Sequence, residues 1–161
     1  MAHRQPHVYK KGASKVKVVT HLAGQLPLCL LDRNKIKQVF VNLFTNACHA
    51  MAEGGVLTVT TALKGVAEDE VVATGKRFRA GDEVVVVEIA DTGAGIPPER
   101  LSRVFDPYFT TKATGKGTGL GLTVTKTIIE MHGGCVLLSN GPDGGTVATV
   151  ILRTRGENEK S

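Results

Sequence analysis

Apolar and polar positions along this chain change their spacing several times, and each change marks an element. Lys15 to Thr20 alternates polar and apolar residues, the period-two signature of a strand with one wet face. Leu26 to Leu31 is a short apolar run read as a second strand, with Pro27 placing it at a sheet edge. Asp32 is a good N-cap, and after it Ile36, Val39, Phe40, Leu43, Ala47 and Ala50 follow a helical period. That helix is expected to reach about Ala52 and to stop at Gly54-Gly55. Val56 to Ala62 alternates again, and Lys64 to Asp82 is polar, punctuated by glycine, and read as a long hairpin connection. Glu83 to Ile89 is almost continuously apolar, as a central strand would be. Pro97-Pro98 opens a short helix, Glu99 to Val104, and a last helix is expected from Thr118 to Met131, stopped by His132-Gly133-Gly134. Cys135 to Ser139 and Thr146 to Leu152 form a final hairpin around Gly141-Pro142-Asp143-Gly144. Strands in pairs separated by helices predict an α+β fold, a two-layer sandwich with helices on one face of a mixed, mostly antiparallel sheet.

Composition changes this picture little. The 161 residues suit one domain, expected over residues 13–154, after a flexible lead-in at 1–12 and before a polar tail at 155–161. Aromatics are only 4% and Trp is absent, so Val, Leu, Ile and Ala must do most of the packing. No apolar run is long enough to span a membrane, and the basic N-terminus lacks the apolar stretch of a secretory signal, which predicts a cytoplasmic domain without membrane contact. Cys29, Cys48 and Cys135 are odd in number and none has metal-ligand spacing, so they are expected to be buried free thiols. The net charge of +5 is compatible with a polyanionic ligand or with nucleic acid. The basic cluster Lys10, Lys11, Lys15 and Lys17 alternates with Val16 and Val18 and has no interleaved aromatics, so it reads as the wet face of an edge strand and nucleic acid is not expected.

Two stretches carry candidate chemistry. On the first long helix Gln38, Asn42 and Asn46 stand four apart on one face, with His49 three further on. Asn is a mediocre helix former, so two in mid-helix are either exposed on a solvated face or supplied with a polar partner. In the second case an amide oxygen could serve Mg²⁺, a hard ion that takes few protein ligands. His49 could then reach a phosphate or be an ordinary surface histidine. The second stretch is Gly115, Gly117, Gly119 and Gly121, running into the apolar segment from Leu120 to Met131. A glycine-rich lead into a helix offers free N–H groups to a phosphate, although a flexible surface loop would look the same. The segment from about Ala113 to Gly119 is expected to be mobile without a ligand. It matches neither the P-loop, since Gly75-Lys76 and Gly115-Lys116 are followed by Arg77 and Gly117, nor the dinucleotide fingerprint, which follows a first strand.

The order of the pieces resembles the ATP-binding superfamily shared by histidine kinases, type II topoisomerases, mismatch-repair ATPases and a heat-shock chaperone. NLFTNACHAM (Asn42 to Met51) is similar to the N box of histidine kinases and DTGAGIP (Asp91 to Pro97) to their G1 box. FDPYFTTK (Phe105 to Lys112) resembles the F box of nitrogen-regulatory and dicarboxylate sensor kinases, and GKGTGLGL (Gly115 to Leu122) the G2 box. The resemblance covers roughly residues 15 to 153, and four boxes in this order are far more specific than any one.

It implies an ATP site with Mg²⁺. Asp91 would accept from the adenine exocyclic amine, Gly93 and Gly95 would let the backbone approach the base beside Ile96, and Thr146 would support the same edge. Asn46 would be the metal ligand and the catalytic residue of the set. Gly117, Gly119 and Gly121 would contact phosphates, Phe105 and Phe109 would anchor a lid, and Lys112 would be a phosphate contact or a solvated charge. The boxes add Asn42, His49, Ala50, Thr111, Gly115, Lys116, Thr118, Leu120 and Leu122 to the candidate ATP contacts. Ala50 stands where the family often has a larger residue, which argues against stacking on adenine from this helix.

Hydrolysing members of the superfamily carry a Glu one turn before the metal Asn. Here Asn42 holds that position, and an amide cannot take a proton from water. Phosphoryl transfer to an outside nucleophile is therefore the activity the resemblance implies. The five histidines are followed by Arg4, Val8, Leu22, Ala50 and Gly133, whereas a phosphoacceptor histidine is usually followed by an acid. The expected partners are thus a separate dimerisation and histidine phosphotransfer module of a parent sensor kinase and, through it, a response regulator. The domain itself is expected to be a monomer. A serine kinase of the anti-sigma type and a non-catalytic ATP-sensing module share the fold and remain alternatives.

Overall fold

The computed structural model describes residues 15–107 and 121–156. Among the described residues five strands form one sheet: β1 (Val16–His21), β2 (Gly55–Gly65), β3 (Glu83–Ala90), β4 (Cys135–Asn140) and β5 (Thr146–Arg153). They lie in the order β1-β2-β3-β5-β4. β1 runs parallel to β2, and the remaining neighbours are antiparallel, so the sheet is mixed with β3 at its centre. The helices are α1 (Arg33–Ala50), α2 (Glu70–Ala73), α3 (Pro98–Leu101) and α4 (Gly121–Met131). No helix among the described residues is long and apolar enough to cross a membrane.

Side-chain alternation sends Val85, Val87 and Ile89 of β3, Ala148, Val150 and Leu152 of β5, and Val136 of β4 into one core. α1 meets them with Val39, Leu43, Ala47 and Met51, and α4 with Ile128 and Ile129. α1 begins where the sequence predicts. The Asp32 carboxylate accepts from the Asn34 and Lys35 amides at 3.0 Å each, satisfying two of the donors a helix start leaves open. Those bonds, the one from Lys35 foremost, hold the Asp32 carboxyl below its ordinary range. His132, just past α4, ties the two helices together: its Nε2 accepts from the Asp32 amide at 3.0 Å while Nδ1 meets the Ile128 carbonyl at 2.7 Å.

Several sequence expectations change, the short helix among them, which spans Pro98–Leu101 rather than Glu99 to Val104. Leu26 to Leu31 is no strand. Pro27 has no N–H to give a ladder, and the segment joins no strand, with Cys29 and Leu31 packed on the core. Leu28 and Leu30, 75% and 65% exposed, face out, and the Leu28 carbonyl takes the Arg155 amide at 2.7 Å. The residue read as the start of a polar tail is therefore still tied to the body. The helix α1 ends at Ala50 rather than Ala52, with Met51 as C-cap and Gly54 in the left-handed region at φ 104°.

The Lys64 to Asp82 connection is more than a polar loop. β2 continues to Gly65, α2 follows, and Phe78 is only 1% exposed. Phe78, Val66, Val84, Cys135 and Ile151 form a second core on the face of the sheet opposite the long helices. Arg153 lies over the Phe78 ring at 4.8 Å and Arg77 pairs with Glu130 of α4 at 3.2 Å. Finally, Cys48 is exposed, because its place on α1 lies off the stripe of Leu43, Ala47 and Met51. Cys29 is half-buried and Cys135 buried, and burial raises the pKa of both thiols.

Candidate functional site

β3 ends at Ala90 and delivers Asp91 to the rim of the sheet, where the residue is 9% exposed. Its Oδ1 accepts the Gly93 amide at 2.8 Å and the Thr146 amide at 3.2 Å, and its own amide donates to the Thr146 carbonyl at 2.9 Å. Both side-chain bonds given to Asp91 among the described residues end on Oδ1, and Oδ2 takes none of them. Thr146, 8% exposed, therefore reaches Asp91 directly through its backbone.

The loop after Asp91 is pressed between α1 and the β4–β5 hairpin. A Cβ on Gly93 would stand 2.5 Å from the Ala50 carbonyl oxygen, so only glycine lets the loop touch the end of α1. Gly95 adopts φ 77° with its Cα facing Asn140 Oδ1. Thr92 fastens the loop from below: its Oγ1 accepts from the Val56 amide at 3.0 Å and its hydroxyl points at Met51 Sδ at 3.7 Å. Gly145, at φ 73°, passes so close under Asp91 that any Cβ would overlap the Asp91 carbonyl oxygen.

α1 links this loop to the start of α4. Asn42 Nδ2 donates to the Gly121 carbonyl at 3.3 Å. From Asn42 to Ala50 the helix rises about 12 Å at 1.5 Å per residue. Asn46, half-buried and itself partnered, stands between them on the Asn42 face. A helix start leaves its first amides without intrahelical partners, the arrangement that receives anions. Leu122 puts its side chain on the core. Phe105 also packs on the core, with Lys126 5.6 Å from its ring centre and its carbonyl taking the Thr123 hydroxyl at 2.8 Å.

The described residues thus bring Asn42, Asn46, Ala50, Asp91, Gly93, Gly95, Ile96, Gly121 and Thr146 along one side of α1 and the sheet rim. His49 is exposed in the last turn of α1. Phe109, Thr111, Lys112, Gly115, Lys116, Gly117, Thr118, Gly119 and Leu120 lie outside the described residues, as does the Ala113 to Gly119 segment expected to be mobile. Sequence reasoning missed Thr92 and Asn140 as site-building residues. Thr92 stands inside the DTGAGIP stretch that pointed to the site. Asn140 carries no such signal, since an Asn beside Gly-Pro-Asp-Gly reads only as turn chemistry.

The donor set fits Mg²⁺ rather than a caged metal. Among the described residues no three His, Cys, Asp or Glu side chains stand together as a metal cluster. One amide oxygen at Asn46 would suit an ion that keeps waters and takes its other ligands from phosphates.

Comparison with known proteins shows the family and the fold. The sensor histidine kinase ZraS of Klebsiella oxytoca is 35% identical over 161 residues, which is 99% of this chain and 31% of that protein. The C4-dicarboxylate transport sensor protein DctS of Rhodobacter capsulatus is 38% identical over 144 residues, 86% of this chain and 19% of that protein. The chain therefore spans less than a third of these relatives. The nucleotide-free catalytic domain of histidine kinase ThkA superposes with a TM-score of 0.65 at 28% identity, over 86% of this chain and 79% of that one. The sequence model of the histidine kinase-, DNA gyrase B- and HSP90-like ATPases matches residues 31–156, which hold α1, the Asp91 loop and the β4–β5 hairpin, and the chain belongs to that family.

Proposed function

We propose that this domain binds Mg·ATP and passes the γ-phosphoryl group to a histidine on a separate dimerisation and phosphoacceptor module of its parent kinase, and through it to a response regulator. The observation that carries the reading is the division of labour within Asp91. Two backbone amides fix Oδ1 and orient the carboxylate, leaving Oδ2 as an acceptor. Such an acceptor suits the exocyclic amine of adenine and opposes guanine, which presents a carbonyl oxygen at the corresponding position.

From that anchor the nucleotide would lie along α1, with its phosphates between Asn46 and the first amides of α4. Asn46 would hold the metal, which when bound offsets phosphate charge. Gly121 and Leu122 would offer backbone N–H groups, and residues 111–120 would complete the phosphate end. Asn42 cannot act as a base, because an amide takes up no proton, and its Nδ2 is committed to the Gly121 carbonyl. The site would position and stabilise a phosphoryl group without activating water, which suits transfer to an outside nucleophile. A cytoplasmic, monomeric domain fits this role.

Calorimetric titration with Mg·ATP and Mg·GTP tests the reading. Binding of ATP with clear preference over GTP is expected, and equal affinities would contradict it.

A further inference from the structure

At the end of β4 the side chain of Asn140 leaves the sheet and pairs with the backbone of a residue 44 positions earlier. Its Oδ1 accepts the Ile96 amide at 2.8 Å and its Nδ2 donates to the Ile96 carbonyl at 2.7 Å. Only one orientation of the amide satisfies both groups, so the side chain meets Ile96 as a neighbouring strand would. Gly95 makes room for it: a Cβ there would come within 2.9 Å of Asn140 Oδ1. The same hairpin holds the other end of the loop, since the Thr146 amide reaches Asp91 Oδ1 at 3.2 Å. The stretch from Asp91 to Ile96 is thereby clamped at both ends by β4–β5.

We propose that Asn140 is a positioning residue for base selection. It rests on the reading of Asp91 as the adenine acceptor. Asn140 acts through Ile96: it fixes the backbone of Gly93 to Ile96, so the loop meets the base already ordered. Without the amide, both polar groups of Ile96 return to water. The loop then gains freedom that nucleotide binding must remove again. The loss falls on the base end of the site, and so on the discrimination between bases.

Titration of the domain with Mg·ATP and Mg·GTP, together with amide exchange at Ile96 followed by NMR, tests this in Asn140→Ala and Asn140→Asp. Asn140→Ala should weaken ATP binding about five- to tenfold, the lower end of what two net hydrogen bonds are worth because both are solvent-accessible. The weaker GTP binding should change little, so the ATP-to-GTP ratio falls by a similar factor. Exchange at Ile96 should accelerate while Val85 and Val87 in the central strand stay protected. Asn140→Asp keeps the shape and the acceptor but sets a carboxylate against the Ile96 carbonyl, and should lower the same ratio. It carries the test if the alanine variant does not fold. A folded variant with an unchanged ratio, or with both nucleotides weakened equally, would overturn the positioning role. Failure of the wild-type domain to distinguish ATP from GTP would overturn the Asp91 reading itself.

Discussion

At Asp91 one carboxylate oxygen is committed to two backbone amides and the other is not, and this asymmetry makes a substitution informative. Asn at this position can still accept from Gly93 and Thr146 with its oxygen, but it then turns an N–H toward the base, donor against donor. Asp91→Asn should cost about 1.5–3 kcal/mol of ATP affinity, the worth of a hydrogen bond to a charged group, and should narrow the preference over GTP. Calorimetry on a variant with unchanged melting temperature would measure both. The adjacent glycines offer a second contrast. Gly144 and Gly145 both have positive φ, yet a Cβ on Gly144 meets open space while one on Gly145 overlaps the Asp91 carbonyl. Gly144→Ala should lose only about 1–2 kcal/mol of stability to backbone strain, whereas Gly145→Ala should lose appreciably more and distort the Asp91 loop. Chemical denaturation of the pair checks the order. Asp91 and Gly93 were legible in the sequence because an acid and spaced glycines form a local pattern. Asn140 was not, because its partner Ile96 lies on the loop after β3 and no local spacing encodes a contact 44 residues away.

Among the elements, α1 was the most legible, since a strong cap, a long apolar period and a glycine stop agree with one another. Its cap also makes a pH prediction. The folded pKa of Asp32 is lowered, chiefly by the Lys35 amide, so its contribution is present above the unfolded carboxyl value of about 3.9. It is lost as the pH falls through the folded value. Asp32→Ala should therefore melt earlier than the parent at pH 7, and the gap should close in acid. Thermal unfolding across that range reads the difference. The β2–β3 connection was the least legible element. Its polar, glycine-punctuated sequence hid a single aromatic anchor, and one Phe among charged residues gives no period to read. Phe78 fills the second core on the back of the sheet. Phe78→Ala should cost about 3–5 kcal/mol of stability. ATP affinity in the folded fraction should hardly change, because the site lies on the other face and rim. Leu26 to Leu31 failed for the opposite reason: its apolar run was real, but it packs on the core without joining a ladder, and Pro27 has no N–H to give one.

In the whole molecule, one helix and one sheet rim organise the proposed chemistry. α1 carries Ala50 against the Asp91 loop and Asn42 against the start of α4, so the base and phosphate ends are set by a single rigid element. The fold class followed from the alternation of strand pairs and helices, whereas the direction of β1, parallel to β2, depended on a crossover through α1. The central claim is that the domain transfers a phosphoryl group rather than hydrolysing ATP, and labelled phosphate followed to its destination tests it most directly. The domain is incubated with γ-labelled Mg·ATP, with and without a histidine-bearing phosphoacceptor module. Alone it should release phosphate very slowly, because a positioned general base, worth typically about 10²–10⁴-fold, is absent at Asn42. With the module, label should appear on it in a form stable to alkali and lost in acid, as a phosphohistidine is, and Asn46→Ala should abolish that label. Rapid phosphate release by the domain alone, or undiminished labelling by Asn46→Ala, would contradict the account.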